Sequence, residues 1–202
     1  MVASMSDHVP NRIAGLILAG GEGKRWGGPK AFAKLDDGRT FLEACAATLI
    51  GAGASPVVAT LPPGTEDTQV DGLEPIALPE TGMDMFGSLV TGLSHLIEHP
   101  DWRTVAILPV DHPLVSPSAV TALANTTARA AIPSYKGKHG HPVCVARSVI
   151  EKILRGELAG PTLREVLRTV DAIDVPVDDA GVITNCNTPE ELARFERSSE
   201  KG

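Results

Sequence analysis

Aromatic residues are scarce in this chain: four Phe, two Trp and one Tyr make up 3% of its 202 residues. A stacking platform for single-stranded nucleic acid needs more of them, so the core is expected to be built from Ala, Val, Leu and Ile. Basic residues are outnumbered, 18 Lys and Arg against 25 Asp and Glu, and the formal charge of −7 offers no overall attraction to nucleic acid or to an anionic membrane. Cysteine is limited to Cys45, Cys144 and Cys186, with no CxxC pair. That excludes a disulfide framework and a zinc ribbon and fits a reducing, cytoplasmic compartment. No apolar run approaches the roughly 20 residues that span a bilayer. Residues 1–11 lack the basic start and apolar stretch of a secretory signal and are expected to form a disordered leader. Two phosphate-loop fingerprints are missing as well. GxGxxG fails because Trp26 stands where the third glycine belongs, and no Gly-Lys is followed by Ser or Thr to complete GxxxxGK[ST]. A hydride-transfer dehydrogenase and a P-loop NTPase both lose support.

What is present is an ordinary globular composition, 43% hydrophobic and 21% charged. The length fits a single domain, here taken as residues 12–197 with a tail at 198–202. Short apolar runs recur at 13–18, 56–59, 75–78, 105–108, 130–132 and 142–145, each of strand length. Between them lie segments with helical spacing: Phe41 to Leu49; Met85, Leu89, Leu93 and Leu96; Val120, Leu123 and Ala124; and Leu163, Val166, Leu167 and Val170. Met85 and Leu89 are assigned to the core. Proline follows Ser116 and Gly160, where it suits the first position of a helix, and Thr188-Pro189-Glu190-Glu191 has the form of a capping box. The alternation predicts an α/β fold: a single, doubly wound, Rossmann-like domain with a mostly parallel sheet and helices on both faces. In such sheets ligands bind beyond the carboxyl ends of the strands.

The first strand ends at such a place. Leu18-Ala19-Gly20-Gly21-Glu22-Gly23-Lys24-Arg25-Trp26-Gly27-Gly28-Pro29-Lys30 combines five glycines with three cations. Glycine lets backbone N–H groups approach phosphate oxygens, and Lys and Arg neutralise the charge. A solvated surface loop is the competing reading. Asp111, just past the run at 105–108 and followed by His112-Pro113, is placed to hold Mg²⁺ or simply to form a turn. His112 is not expected to act as a general base, because an ionised phosphate nucleophile needs no deprotonation. Asn187, in Asn185-Cys186-Asn187-Thr188-Pro189, can offer its amide oxygen to the same cation, with less charge than a carboxylate. Cys186 is expected to be a small packed residue. Lys136, Lys138, His139 and His141 form a second basic, glycine-bearing loop suited to an anionic acceptor. Zinc is a poor fit there, since two His one residue apart have no Cys or carboxylate nearby. Ser88, at an expected helix start, either donates to a phosphate or caps the helix.

These segments carry a family resemblance. Leu18-Ala19-Gly20-Gly21, Arg25 and Gly27-Gly28-Pro29-Lys30 resemble the LAGGxxxRMGGxK signature of MobA-like nucleotidyltransferases, with Trp26 for the usual Met and Pro29 for the usual Asp. Asp111-His112-Pro113 is similar to the family's DxP element, Asn185 to Leu192 to its NxNTPEEL element, and Gly140-His141-Pro142-Val143 to the GHPV element of its cytidylyl branch. Gly82-Met83, with Ser88-Leu89 two residues further on than usual, resembles its GMxxSL segment.

The resemblance implies the nucleotide-diphospho-sugar transferase type of fold and transfer of a nucleoside monophosphate from an NTP to a phosphate-bearing acceptor, with release of pyrophosphate. The acceptor it implies is molybdopterin, with a sugar phosphate or another small phosphate as the alternative, and with a molybdoenzyme or maturation chaperone as a further partner. It implies Arg25, Lys30 and Asp111 as catalytic residues, and Asp111 and Asn187 as ligands of Mg²⁺. The nucleotide would be held by Leu18, Ala19, Gly20, Gly21, Gly23, Arg25, Lys30, Gly82 and Ser88. LAGG and NxNTP point to GTP, whereas GHPV and Gly-Ser-Leu point to CTP. The Asn pair in place of carboxylates leaves open a nucleotide-binding accessory protein with little turnover.

Overall fold

The strand β1 (Ile13–Leu18) is buried along nearly its whole length, and it is an interior strand of the sheet. The computed structural model describes residues 12–21, 23, 26–158, 160 and 162–193. The expected leader 1–11 and tail 198–202, together with Arg25 and the proline after Gly160, lie outside them.

β1 pairs in parallel with β2 (Ala54–Leu61) on one side and β4 (Thr104–Pro109) on the other, and β3 (Leu73–Ala77) extends the sheet beyond β2, also in parallel. On the far side of β4 lie β7 (Val143–Ala146), β5 (Ala130–Tyr135) and β6 (Lys138–His139), while β8 (Ala172–Pro176) pairs with β5. The order is β3-β2-β1-β4-β7-β5-β6. β7 runs antiparallel to both β4 and β5. The expectation of a mostly parallel sheet therefore holds, with the refinement that β7 is an antiparallel insertion between β4 and β5.

Side chains alternate across β1, which divides the core in two. Ile13 and Ile17 pack with Phe41, Leu42 and Leu49 of α1 (Phe41–Gly51) and with Val120 and Leu123 of α3 (Pro117–Ala124). Ala14 and Leu16 pack with Leu89, Leu93 and Leu96 of α2 (Met85–Leu96) and with Val149, Ile150 and Ile153 of α4 (Arg147–Leu154). Val166 and Leu167 of α5 (Leu163–Leu167) join the second layer. Each fully buried Leu, Ile or Phe here contributes roughly 1.5–3 kcal/mol.

Local signals agree with this. Thr40 caps α1 in a capping box with Glu43, Ser116 caps α3 with Pro117 at the next position, and Thr188 accepts from the Glu191 backbone. Three details differ from the sequence reading. α5 is capped by Thr162, so it starts after the proline that follows Gly160 instead of at it. Met85 is 67% exposed instead of buried, because it sits in the first turn of α2 with its side chain outside the layer that Leu89 enters. α4, β6 and β8 are additional elements. Among the described residues no helix is long and apolar enough to cross a membrane.

Candidate active site

The register Leu18↔Pro109 places the carboxyl ends of β1 and β4 side by side. The loop after β1 and the turn bearing Asp111 therefore rise from one edge. Ala19 donates to the Thr60 carbonyl and Val110 donates to the Leu18 carbonyl, both at 3.0 Å, which extends the ladder one residue beyond each strand.

Two glycines of the loop are required by the protein's own packing. A Cβ at Gly20 would overlap Leu78, and Gly23 has φ +60° with the Gly28 carbonyl against its α-carbon. Gly21 and Gly28 have open space where a side chain would go, which is the room a phosphate needs beside backbone N–H groups. Trp26 fixes the loop's return. Its ring meets Phe41 edge-on at 5.2 Å between centroids, and its backbone N–H donates to the Gly23 carbonyl. The chain then turns through a short 3-10 helix, Lys30–Phe32, pinned by fully buried Ala31.

This turn aims Lys30 inward. Its ammonium lies 3.3 Å from Asp111 Oδ2 and donates to Asn187 Oδ1 at 2.5 Å. Three chain segments far apart in sequence thus meet at one cation, and both side chains of the ion pair are about four-fifths buried. The Asn187 segment is attached by the backbone, as Cys186 donates to the Asp111 carbonyl at 2.8 Å. Asn185 is exposed, so of the two asparagines Asn187 faces the cluster. Carboxylate and amide oxygens converging on one positive charge are the hard donor set that Mg²⁺ and Mn²⁺ take. The residues present therefore fit such an ion.

His112 and His141 meet beside Asp111, with ring centroids 4.8 Å apart and the rings tilted by 60°. Burial holds the His112 imidazole below the usual range, against the opposing pull of Asp111 and the Gly181 backbone. His141 is pushed down to about 4, by burial first and by His112 second. Both rings are therefore neutral at pH 7. The Nδ1 atom of each is buried with no hydrogen-bond partner. The thiols near the site are packing groups: Cys186 is fully buried, and burial pushes the Cys45 thiol far above its ordinary value.

The four residues grouped as an acceptor loop do not stay together. Lys136, Lys138 and His139 lie on the exposed hairpin of β5 and β6, where Lys136 adopts φ 49° and covers the Tyr135 ring, and His139 pairs with Asp174 at 3.0 Å. His141 has left the hairpin. Its backbone donates to the Val182 carbonyl at 2.7 Å, and this turns its ring toward His112. Gly82 forms a turn with φ +79° ahead of α2.

Ser88 does not cap α2; Asp84 does, by accepting from Gly87 N at 2.6 Å. The Ser88 hydroxyl, 3% exposed, is instead 2.8 Å from Thr60 Oγ1, behind Gly20. Sequence reasoning missed Thr60, Asp84 and Asp179. Of these, Asp84 alone carried a signal, a helix-capping residue three positions before a helical glycine. A cleft of about 460 Å³ lined by Asp36, Arg39, Thr48, Leu114 and Pro117 lies on the α1 side, and none of the residues singled out for chemistry lines it. A cluster of a different kind, Glu74, His95 and His99, has metal-ligand chemistry of its own.

Comparison with known proteins agrees with this architecture. A probable molybdenum cofactor guanylyltransferase of Mycobacterium bovis BCG is 28% identical over 198 residues, covering 90% of this chain and 91% of the relative. A second relative of that name, from Geobacillus, matches over 57% of its length at 29% identity. Among solved structures, the manganese complex of Rv0371C from Mycobacterium tuberculosis superposes with a TM-score of 0.73 at 21% identity, over 93% of this chain and 99% of that one. The 2-C-methyl-D-erythritol 4-phosphate cytidylyltransferase of Thermus thermophilus does so with 0.64 at 22% identity, over 94% and 99%. The family model described as MobA-like NTP transferase domain matches residues 15–175, and the chain belongs to that family as a nucleotidyltransferase.

Proposed function

We propose that this nucleotidyltransferase moves a nucleoside monophosphate from GTP to the phosphate of molybdopterin, releasing pyrophosphate and forming a dinucleotide cofactor. The observation that carries the reading is the meeting of Lys30, Asp111 and Asn187 beside the open glycines of the loop. An oxygen of the acceptor phosphate attacks the α-phosphorus, the bond from the α-phosphorus to the bridging oxygen breaks, and pyrophosphate leaves with the electron pair.

The chain's task is to position two anions against each other and to offset the charge on the NTP phosphates. Backbone N–H groups of Ala19 to Gly21 grip the nucleotide's phosphates. Lys30 stabilises the charge that develops at them, and Arg25 is assigned the same task from its place in the motif. Asp111 and Asn187 would hold Mg²⁺, which when bound supplies positive charge to the phosphates. With those oxygens so engaged, Lys30 would be free to turn from Asp111 and Asn187 to the phosphates. His112 and His141, neutral and buried, serve as hydrogen-bonding groups instead of phosphate cations, and the exposed Lys136 and Lys138 provide the positive charge that attracts the acceptor. Ser88 supports the start of the loop through Thr60, whose carbonyl accepts from Ala19 N.

CTP is the second reading for the nucleotide, favoured by Gly140-His141-Pro142-Val143 and by the likeness to a cytidylyltransferase structure. The test is conversion of molybdopterin with α-labelled GTP or CTP in the presence of Mg²⁺, followed as pyrophosphate release. GTP is expected to be the better donor. Lys30→Ala and Asp111→Ala are each expected to abolish turnover with the circular dichroism unchanged, and near-normal activity in either would refute the assignment.

A further inference from the structure

Glu74 and the two histidines at the end of α2 lie far from this chemistry. Glu74 is near the start of β3, the edge strand, opposite Val58 of β2. His95 is in the last turn of α2, and His99 is four residues on, in the turn that continues it. β1 to β4 run parallel and α2 returns against them, so these residues sit at the amino edge of the sheet, at the opposite end from Asp111.

His95 Nε2 lies 3.2 Å and His99 Nε2 3.4 Å from the same carboxylate oxygen, Glu74 Oε2. A tetrahedral zinc ion with bonds of about 2.0–2.1 Å separates neighbouring ligand atoms by about 3.3 Å. Two of the three edges already match that spacing. All three donor atoms lie within 4.8 Å of one another, and rotation of two half-exposed rings closes the His-to-His edge.

The backbone that carries His99 is fixed. Arg147 of α4 donates to the carbonyls of His99 at 2.7 Å and Ile97 at 2.8 Å, and its guanidinium lies over the Trp102 ring at 4.6 Å. Trp102 in turn donates to the Leu96 carbonyl at 2.8 Å. The last turn of α2 is thus held from two sides while both imidazoles turn to Glu74 on the third.

We propose that Glu74, His95 and His99 form a site for one divalent transition-metal ion of the zinc class, which fastens the edge strand β3 to the end of α2. Two imidazoles and one carboxylate favour Zn²⁺, Co²⁺ or Ni²⁺ over Mg²⁺, which demands oxygen ligands. The side chains are 35–46% exposed, so water completes the coordination. The site is separate from the oxygen-donor cluster at Asp111 and owes nothing to the reaction proposed there.

The test is a calorimetric titration of the EDTA-treated full chain with ZnCl₂ in excess Mg²⁺, which saturates oxygen-donor sites. One equivalent is expected to bind, and Co²⁺ in its place is expected to give the visible bands of a four- or five-coordinate ion. Removing a supporting partner of a metal ligand costs roughly 10–100-fold in affinity. His95→Ala and Glu74→Gln, which remove ligands themselves, are each expected to cost at least that much. His141→Asn is expected to leave zinc binding unchanged, and none of the three variants should alter the far-ultraviolet circular dichroism. Absence of stoichiometric binding, or binding that survives both His95→Ala and Glu74→Gln, would overturn the proposal. Loss in His141→Asn alone would overturn it too, by moving the ion to the Asp111 end.

Discussion

His141 shows how a residue type read in sequence changes meaning when its surroundings are known. Next to Lys136, Lys138 and His139 in the chain it counts as a cation for an anionic acceptor, yet its ring is buried against His112 and its pKa is pushed down to about 4. The ordinary value of 6.5 applies to the unfolded chain, which therefore binds the proton first as pH falls. Stability is unaffected above that value and declines as pH drops from 6.5 toward 4. The difference of about 2.5 units corresponds to ~3 kcal/mol at most. His112 is shifted in the same direction and adds to the slope. In the metal-free chain, His141→Asn is expected to flatten the decline between pH 7 and pH 4.5 in urea denaturation. An unchanged slope would show that the ring titrates normally. Lys30 and Asp111, by contrast, could be singled out by position in a motif, since a strand end and a glycine loop put them at one edge. Asn187 could be named from its motif as an oxygen donor to the same cation, but its bond to Lys30 was not legible, because 157 residues separate the two.

At the scale of elements, the sequence marks those that have both a periodic apolar face and a boundary signal. α1 and α3 have caps and buried stripes, and both were legible. α4 has the stripe, Val149, Ile150 and Ile153, but it follows β7 directly with Ala146 as its cap and no side-chain hydrogen bond. Without Gly, Pro or a capping residue between them, strand and helix merge into one apolar stretch. β8 fails for the opposite reason: it is half exposed and contains Asp174, so no continuous apolar run marks it. The direction of β7 was not legible either, since a short buried run is the same read forwards or backwards.

One connection between elements was invisible and is expected to matter. Asp179 accepts from Ser116 N and Ser116 Oγ at 2.8 Å each and from Gly181 N at 2.8 Å, which ties the start of α3 to the turn that leads to Asn187. Asp179→Ala leaves three donors without their charged partner. It is expected to cost about 2 kcal/mol in denaturant unfolding and to weaken Mn²⁺ binding through displacement of Asn187. A variant with full stability would mean that water replaces the carboxylate at no cost.

For the whole molecule, the proposed reaction brings two phosphate-bearing substrates to an acidic chain, which must therefore concentrate its positive charge. The formal charge is −7, yet Lys30 stands at the sheet edge and Lys136 and Lys138 on the adjoining hairpin, so the field that draws anions is local. In the described arrangement the Lys30 ammonium already neutralises Asp111. A nucleotide alone would have to separate that pair, whereas with a divalent ion held by Asp111 and Asn187 the carboxylate would keep a cationic partner and Lys30 would be free for the phosphates. Nucleotide and metal should therefore bind cooperatively, each paying part of the other's cost. A ligand at 100 times its dissociation constant adds roughly 2.7 kcal/mol to stability, so a thermal-shift titration with GTP, CTP, ATP and UTP, with and without Mg²⁺, reads the coupling directly. GTP with Mg²⁺ is expected to give a shift larger than the sum of the two taken separately, and Lys30→Ala to lessen that excess. A larger shift with CTP would transfer the donor assignment to the cytidylyl reading and leave the cooperativity in place. Strictly additive shifts would mean that Lys30 does not exchange partners, and the cluster would then be a fixed structural tie between the loop, β4 and the Asn187 segment.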